Sequence, residues 1–236
     1  MAQVLEEVLD RRYEGLTEDS PFAQLVDTMS AGRDDSRLAE IVVVIFRQVQ
    51  SHPAPARWLE GQKGLWELAD VSDLGQTFWG GLLLEDAKRQ ARACRERLLE
   101  ALELCQTDEL LQVNYAPSLS ASLEGLEWLI QETTWDGARA RLPIPFPDAG
   151  QKRKRTLALS PFQAEEAKER VKAVRARCKK NMERVAEAFD GDTAAHLEEL
   201  ALSQPAVHAL MDLVLDFQAA FSREKARRGL VDFSDL

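Results

Sequence analysis

Cysteine is scarce in this chain: there are three, Cys94, Cys105 and Cys178. An odd count, at apolar positions of predicted helices, argues against a disulfide framework and predicts free thiols with no metal, because such cysteines behave as small hydrophobes. Long apolar runs are missing as well. None approaches the roughly 18 residues that a membrane span needs, and the opening Met-Ala-Gln-Val-Leu-Glu-Glu lacks the charged start of a signal peptide, so a cytoplasmic location with no membrane partner is expected. Also missing are a Gly-x-x-x-x-Gly-Lys-[Ser/Thr] phosphate loop, Gly-x-Gly-x-x-Gly, His-Glu-x-x-His and any paired-cysteine motif, which leaves no place for a nucleotide or cofactor. The three histidines, His52, His196 and His208, are scattered. His208 and Asp212, four apart on a helix, read as a surface pair rather than a catalytic dyad. No catalytic residue is assigned.

What is present is a helical, charged, acidic chain. Of its 236 residues 45% are hydrophobic and 30% charged, a balance that can bury a sizeable core and argues against disorder throughout. The net charge of −10 is unevenly spread. From Arg139 to Lys180 there are thirteen Lys and Arg against four Asp and Glu, a net +9 that leaves −19 on the remainder. A basic segment on an acidic body points to an anionic partner, although a solvated helix face supplies part of such a pattern without any partner.

Apolar spacing predicts helices almost everywhere. Ala2–Arg12 and Pro21–Met29 are short and amphipathic, the second with Ser20 as a possible cap. Ser36 opens a helix through Leu38, Ile41, Val42, Ile45, Phe46 and Val49; its β-branched run Ile41–Ile45 could suit a strand, but the stripe continues at helical period. His52-Pro53-Ala54-Pro55 turns the chain, and Trp58, Leu59, Leu65 and Trp66 suggest another helix, with the tryptophan in the core. A long helix is expected from Leu82 to about Leu111, with Ala87, Ala91, Cys94, Leu98, Ala101 or Leu102, and Cys105 as its buried seam. Pro117 and Ser118 are expected to break the pattern before a shorter helix over Leu119–Ile130. The fold class is therefore all-α, a multi-helix array with brief loops.

Composition then changes. Arg139-Ala-Arg-Leu-Pro-Ile-Pro-Phe-Pro-Asp148 holds three prolines in five residues and must be extended, and Gln151-Lys-Arg-Lys-Arg155 belongs to a basic loop. Past Ser160-Pro161, Val171, Val174, Cys178, Met182 (or Asn181), Val185 and Phe189 mark the buried stripe of a new helix. Lys168, Lys172, Arg175 and Lys179 line one ridge beside it, with Lys180 following, and Arg170, Arg177 and Arg184 line another. Asp190-Gly-Asp-Thr193 reads as a turn and cap, not a calcium loop, which needs oxygen ligands at alternate positions around a central glycine. A last helix is expected from Ser203, with Pro205 in its first turn and Gly229 as a left-handed cap. Asp232-Phe233-Ser234-Asp235 then looks like the start of a further helix, so that the chain reads as a piece of something larger.

With these parts laid out, the chain resembles a known family. Phe22-Ala-Gln-Leu-Val-Asp, Gly32-Arg-Asp-Asp35, Ser51-His-Pro53 and Trp58-Leu59 are similar to the segment after the first motor motifs in AddA-type ATP-dependent helicase–nuclease subunits, which are UvrD-like superfamily 1 proteins. Arg141-Leu-Pro143, the basic run, Val171–Lys180 and Lys225-Ala-Arg-Arg-Gly-Leu-Val-Asp-Phe-Ser-Asp-Leu236 resemble the end of that family's domain 1B, in order and spacing. Asp232, Phe233 and Asp235 resemble the junction at which the chain returns to the motor core.

The resemblance implies a single 1B-like helical domain over 1–229, with 230–236 beginning the return to the motor. It implies a parent that is a bacterial, ATP- and Mg-dependent DNA helicase and exonuclease, which acts on double-strand ends together with a second nuclease subunit. Such a domain contains neither ATPase nor nuclease residues, so no enzyme activity is expected of this chain. Two roles stay open. In the first, Lys152, Arg153, Lys154 and Arg155 with Lys168, Lys172, Arg175, Lys179 and Lys180 meet DNA phosphates at a double-strand end or fork. In the second, the same charges pair with the acidic body or dock the second nuclease subunit. The lack of aromatic residues among the charges argues against a single-strand stacking platform.

Overall fold

A computed structural model of the chain describes residues 1–29, 36–151 and 161–231. Among them are nine α-helices and no strand: α1 (Ala2–Glu14), α2 (Pro21–Met29), α3 (Ser36–Val49), α4 (Pro55–Lys63), α5 (Phe78–Cys105), α6 (Glu109–Gln131), α7 (Trp135–Arg141), α8 (Pro161–Glu187) and α9 (Thr193–Arg228). The all-α reading holds. The helices fall into two compact units, one formed by residues 1–70 and 197–236, the other by 71–196. The first unit is thus made of two stretches separated by the whole of the second.

In the first unit, α1–α4 and the greater part of α9 share one apolar core. The ambiguous run in α3 shows why helix wins over strand. Val42 is fully buried and Val44 is 64% exposed, while Leu38, Phe46 and Val49 join Val42 inside, a spacing of four, four and three that only a helix puts on one face. Phe217 of α9 meets Phe46 edge-on at 5.0 Å. Ser20 caps α2 through the Ala23 N–H, as its position suggested.

Three expectations fail in this unit. α9 begins ten residues before Ser203, where Asp192 accepts from the Ala195 N–H at 2.9 Å, and Pro205 lies inside the helix. An interior proline costs roughly 3 kcal/mol, but each fully buried Leu213, Val214 or Phe217 side chain contributes about 1.5–3 kcal/mol, so the packing outweighs the break. The carbonyl that loses its partner is that of Ala201, an exposed residue where water can replace it. Trp58 is not core: it is 36% exposed and stacks flat on His52 at 4.1 Å, while its neighbour Leu59 is buried. Asp212 pairs with Lys63 and the His208 ring lies 3.2 Å from the Lys63 carbonyl, so both serve the end of α4. At its far end α9 stops as expected, with Gly229 at φ 62° and the Leu230 N–H donating to the Lys225 carbonyl at 3.0 Å.

In the second unit α5, α6 and α8 pack along the predicted seam, with Ala87, Ala91, Cys94, Leu98, Ala101 and Cys105 all buried. The long helix expected to reach Leu111 ends at Cys105, because Asp108 accepts from the Leu111 N–H at 3.1 Å and opens α6. Pro117, expected to interrupt, lies within α6. Near it the Asn114 carbonyl accepts the Gly150 N–H at 2.7 Å, which employs a backbone oxygen in the turn where the proline disturbs the helical ladder. Unforeseen by periodicity is α7, which is short and capped by Thr134 through the Gly137 N–H at 3.1 Å.

One carboxylate gathers the closed end of this unit. Asp73 accepts from the Gly75 N–H at 2.8 Å and the Trp135 N–H at 3.0 Å, and lies 3.4 Å from the Thr193 hydroxyl. Thr193 Oγ1 in turn accepts from the Leu74 N–H at 3.2 Å, and its own N–H donates to Asp136 at 2.9 Å. Trp135 is buried against Phe189 at 4.2 Å and donates its indole N–H to the Gly191 carbonyl at 2.8 Å. A buried indole needs such a partner.

Candidate nucleic-acid interface

The proline-rich stretch is extended, as three prolines require, and it is laid along α6 in the antiparallel sense. Ser122 Oγ donates to the Pro145 carbonyl at 2.8 Å, Ser118 Oγ to the Pro147 carbonyl, and the Gly150 N–H to Asn114. Asn114, Ser118, Ser122 and Gly125 recur at spacings of four, four and three, so small and polar residues form one stripe that admits the strand. At Gly125 a Cβ would come within 2.8 Å of the Pro145 ring. The Leu142–Pro143 peptide is cis.

Arg175 of α8 locks this arrangement. Its Nε donates to Ser118 Oγ at 3.2 Å, and its guanidinium donates to the Phe146 carbonyl at 2.7 Å and to that of Pro147. The sequence pattern expected Arg175 on a ridge free to meet phosphate; the structure uses it as an internal strut. Helix geometry supplies the reason. At about 100° per residue, Arg175 projects only some 40° from the buried Val171 line, nearer to it than Lys168, Lys172 or Lys179.

The other members of the ridge do share a flank of α8, and each has a carboxylate beside it. Lys168 pairs with Glu165 at 2.8 Å, Lys172 with Glu169 at 2.7 Å, and Lys179 lies 3.9 Å from Glu183. Glu169 raises the pKa of Lys172, holding it as ammonium. Lys180 points away from the buried stripe, is exposed and has no ion pair among the described residues. Arg170, Arg177 and Arg184 occupy the opposite flank, also exposed and without ion pairs there. Between α5 and α8 on that side runs a groove of about 400 Å³ whose lining includes Arg97, Glu100, Glu103 and Arg170. Lys152, Arg153, Lys154 and Arg155 of the basic run lie outside the described residues, as do Asp232, Phe233 and Asp235 of the expected motor junction.

A contact that sequence order hid is that of Arg141 with Trp128. The guanidinium lies 4.7 Å from the centre of an indole that is 49% exposed, so one aromatic does sit among the charges. The three cysteines are buried and free. Among the described residues no group of three or more metal-ligating side chains occurs, and no helix is long and apolar enough to cross a membrane.

No family model matches the chain. Curated relatives do. The AddA-type ATP-dependent helicase/nuclease protein of Clostridium kluyveri is 27% identical over 98% of this chain, and that of Acetivibrio thermocellus is 27% identical over 99%. The corresponding protein of Clostridium botulinum is 26% identical over 99%. The chain spans 18% of the length of each of these relatives. Along almost its entire length the chain is thus similar to one segment of the AddA-type helicase/nuclease subunits, the family its sequence resembles.

Proposed function

We propose that the chain is a DNA-contacting, 1B-like accessory region of an ATP-dependent DNA helicase and exonuclease that processes double-strand breaks for recombinational repair in the bacterial cytoplasm. The observation that carries this reading is the concentration of net +9 between Arg139 and Lys180 on a chain similar to an AddA-type helicase/nuclease over 98% of its length. Contact is made with the phosphates of a double-strand end or fork, through the run Lys152–Arg155 and the cationic faces of α8, and is indifferent to sequence. Residues 1–229 form the accessory region, and Asp232, Phe233 and Asp235 begin the return to the motor. The chain has no phosphate-binding loop, so ATP and Mg²⁺ are held elsewhere in the larger protein, and the helicase and nuclease chemistry belongs there too.

A second reading is favoured by one observation, the pairing of Lys168, Lys172 and Lys179 with acids of α8 itself. On that reading the region is a structural insert that docks the second nuclease subunit. Fluorescence anisotropy with forked DNA at about 50 and 200 mM salt decides between them, a range over which phosphate-dominated binding falls by orders of magnitude. Saturable binding that collapses at the higher salt supports DNA contact; absence of binding at both salts removes that reading and leaves the insert.

A further inference from the structure

Resting on the DNA-contact reading, we infer that α8 meets phosphate through Arg170, Arg177 and Arg184, with Arg97 of α5 beside them, and not through the lysine ridge. The ridge is matched one for one. Lys168, Lys172 and Lys179 each have a carboxylate of the same helix at 2.7–3.9 Å, so the flank presents no net charge to an approaching strand. Its fourth member, Arg175, is committed to the Phe146 and Pro147 carbonyls.

The opposite flank differs in three respects. Its guanidinia are exposed and make no hydrogen bond or ion pair with any described residue. The nearby acids, Glu166 one turn before Arg170 and Glu100 and Glu103 across the groove, are fewer than the four arginines and bond to none of them. The three arginines of α8 recur every seven residues, about 10 Å apart at 1.5 Å per residue. That is close to three nucleotide rises along a duplex axis. Guanidinium also suits the task better than ammonium, since its planar fork can grip two phosphate oxygens at once.

Two triple variants test this, R170Q/R177Q/R184Q and K168Q/K172Q/K179Q. Each removes three positive charges, so both proteins carry the same net charge and any difference between them reports position. Binding to forked DNA is followed by anisotropy between about 50 and 200 mM salt. The arginine variant is expected to bind at least about tenfold more weakly at low salt and to lose about two to three from the slope of log K against log salt, near 0.9 per lost phosphate contact. The lysine variant is expected to stay within about threefold.

Loss in the lysine variant alone, or equal loss in both, overturns the inference while leaving DNA contact standing. Absence of binding by the unmodified chain overturns the DNA-contact reading and the inference together. Circular dichroism shows whether each variant keeps its helices. Should either triple fail to fold, R177Q against K172Q decides: only the former should lower the slope, by about one.

Discussion

If Arg175 is a strut, replacing it should damage the second unit and spare DNA binding. In Arg175→Gln three hydrogen bonds from one cation disappear, to Ser118 Oγ at 3.2 Å, to the Phe146 carbonyl at 2.7 Å and to the Pro147 carbonyl. A bond from a charged donor contributes roughly 1.5–3 kcal/mol. Arg175 is half-buried, Pro147 is exposed, and a glutamine can restore one contact, so the low end applies and the expected loss is about 2–3 kcal/mol. The assay is urea unfolding followed by circular dichroism, joined to hydrogen exchange of the 142–151 peptide. In that stretch the Gly150 amide is held by Asn114 at 2.7 Å. Exchange there should accelerate by a larger factor than anywhere in residues 1–70. An unchanged urea midpoint with unchanged protection at Gly150 would refute the strut, and a collapse of DNA affinity in a stably folded variant would return Arg175 to the interface.

Other outcomes follow from the same geometry. Two helical glycines should respond to alanine with opposite signs: Gly61 has open space around it, so Gly61→Ala gains up to about 1 kcal/mol of helix propensity. A Cβ on Gly80 would fall 2.0 Å from the Leu74 carbonyl oxygen, which is fixed backbone, so Gly80→Ala lowers the melting temperature despite the same gain in propensity. Burial pushes the Cys105 thiol up to about 11, and a hydrogen bond to Cys94 together with burial pushes Cys178 up too. With all three thiols buried, a disulfide reagent at pH 8 should find none reacting rapidly in the native chain and three after unfolding in urea; one fast equivalent in the native protein would contradict the packing. Arg227 and Arg228 hold the Glu224 carboxyl down to about 2, below its ordinary 4.5. A depressed carboxylate contributes stability above the unfolded pKa and loses it as pH falls through the folded one. The last turn of α9 should therefore fray between about pH 4.5 and 2, seen as faster amide exchange of residues 223–229, and unchanged exchange down to pH 2 would count against the pairing.

What the sequence made legible was whatever rests on period and local caps. Leu38, Val42, Phe46 and Val49 announced α3 against the strand preference of their neighbours, Ser20 announced the start of α2, and Gly229 the end of α9. The alanine and cysteine seam of α5 was readable because small residues at helical spacing have few other uses. The errors share one cause, that tertiary packing is invisible locally. Pro117 and Pro205 carry the ordinary signal of a helix end, and nothing nearby reveals that buried faces will hold the helix through them. Asp73 and Thr193 are 120 positions apart, with Trp135 between them, so their convergence has no sequence signature. The nearest approach to a missed clue is Arg175, whose angle on the helical wheel already placed it closer to the buried stripe than its companions. Trp128 and Arg141 stand thirteen residues apart on different helices, which is why an aromatic among the charges went unseen.

That the first unit is assembled from two separated stretches has a consequence for how the chain is made. Its core needs Phe217, Leu213 and Val214 of α9 against Leu38, Val42 and Phe46 of α3, and residues 71–196 are synthesised in between. At about 5–20 residues per second, α1–α4 wait on the order of 10 s for the helix that covers them. During that interval the ribosome displays their apolar faces to the cell, while the intervening unit can complete its own core first. The window for misassembly therefore opens at the start of the chain and closes only when α9 has emerged.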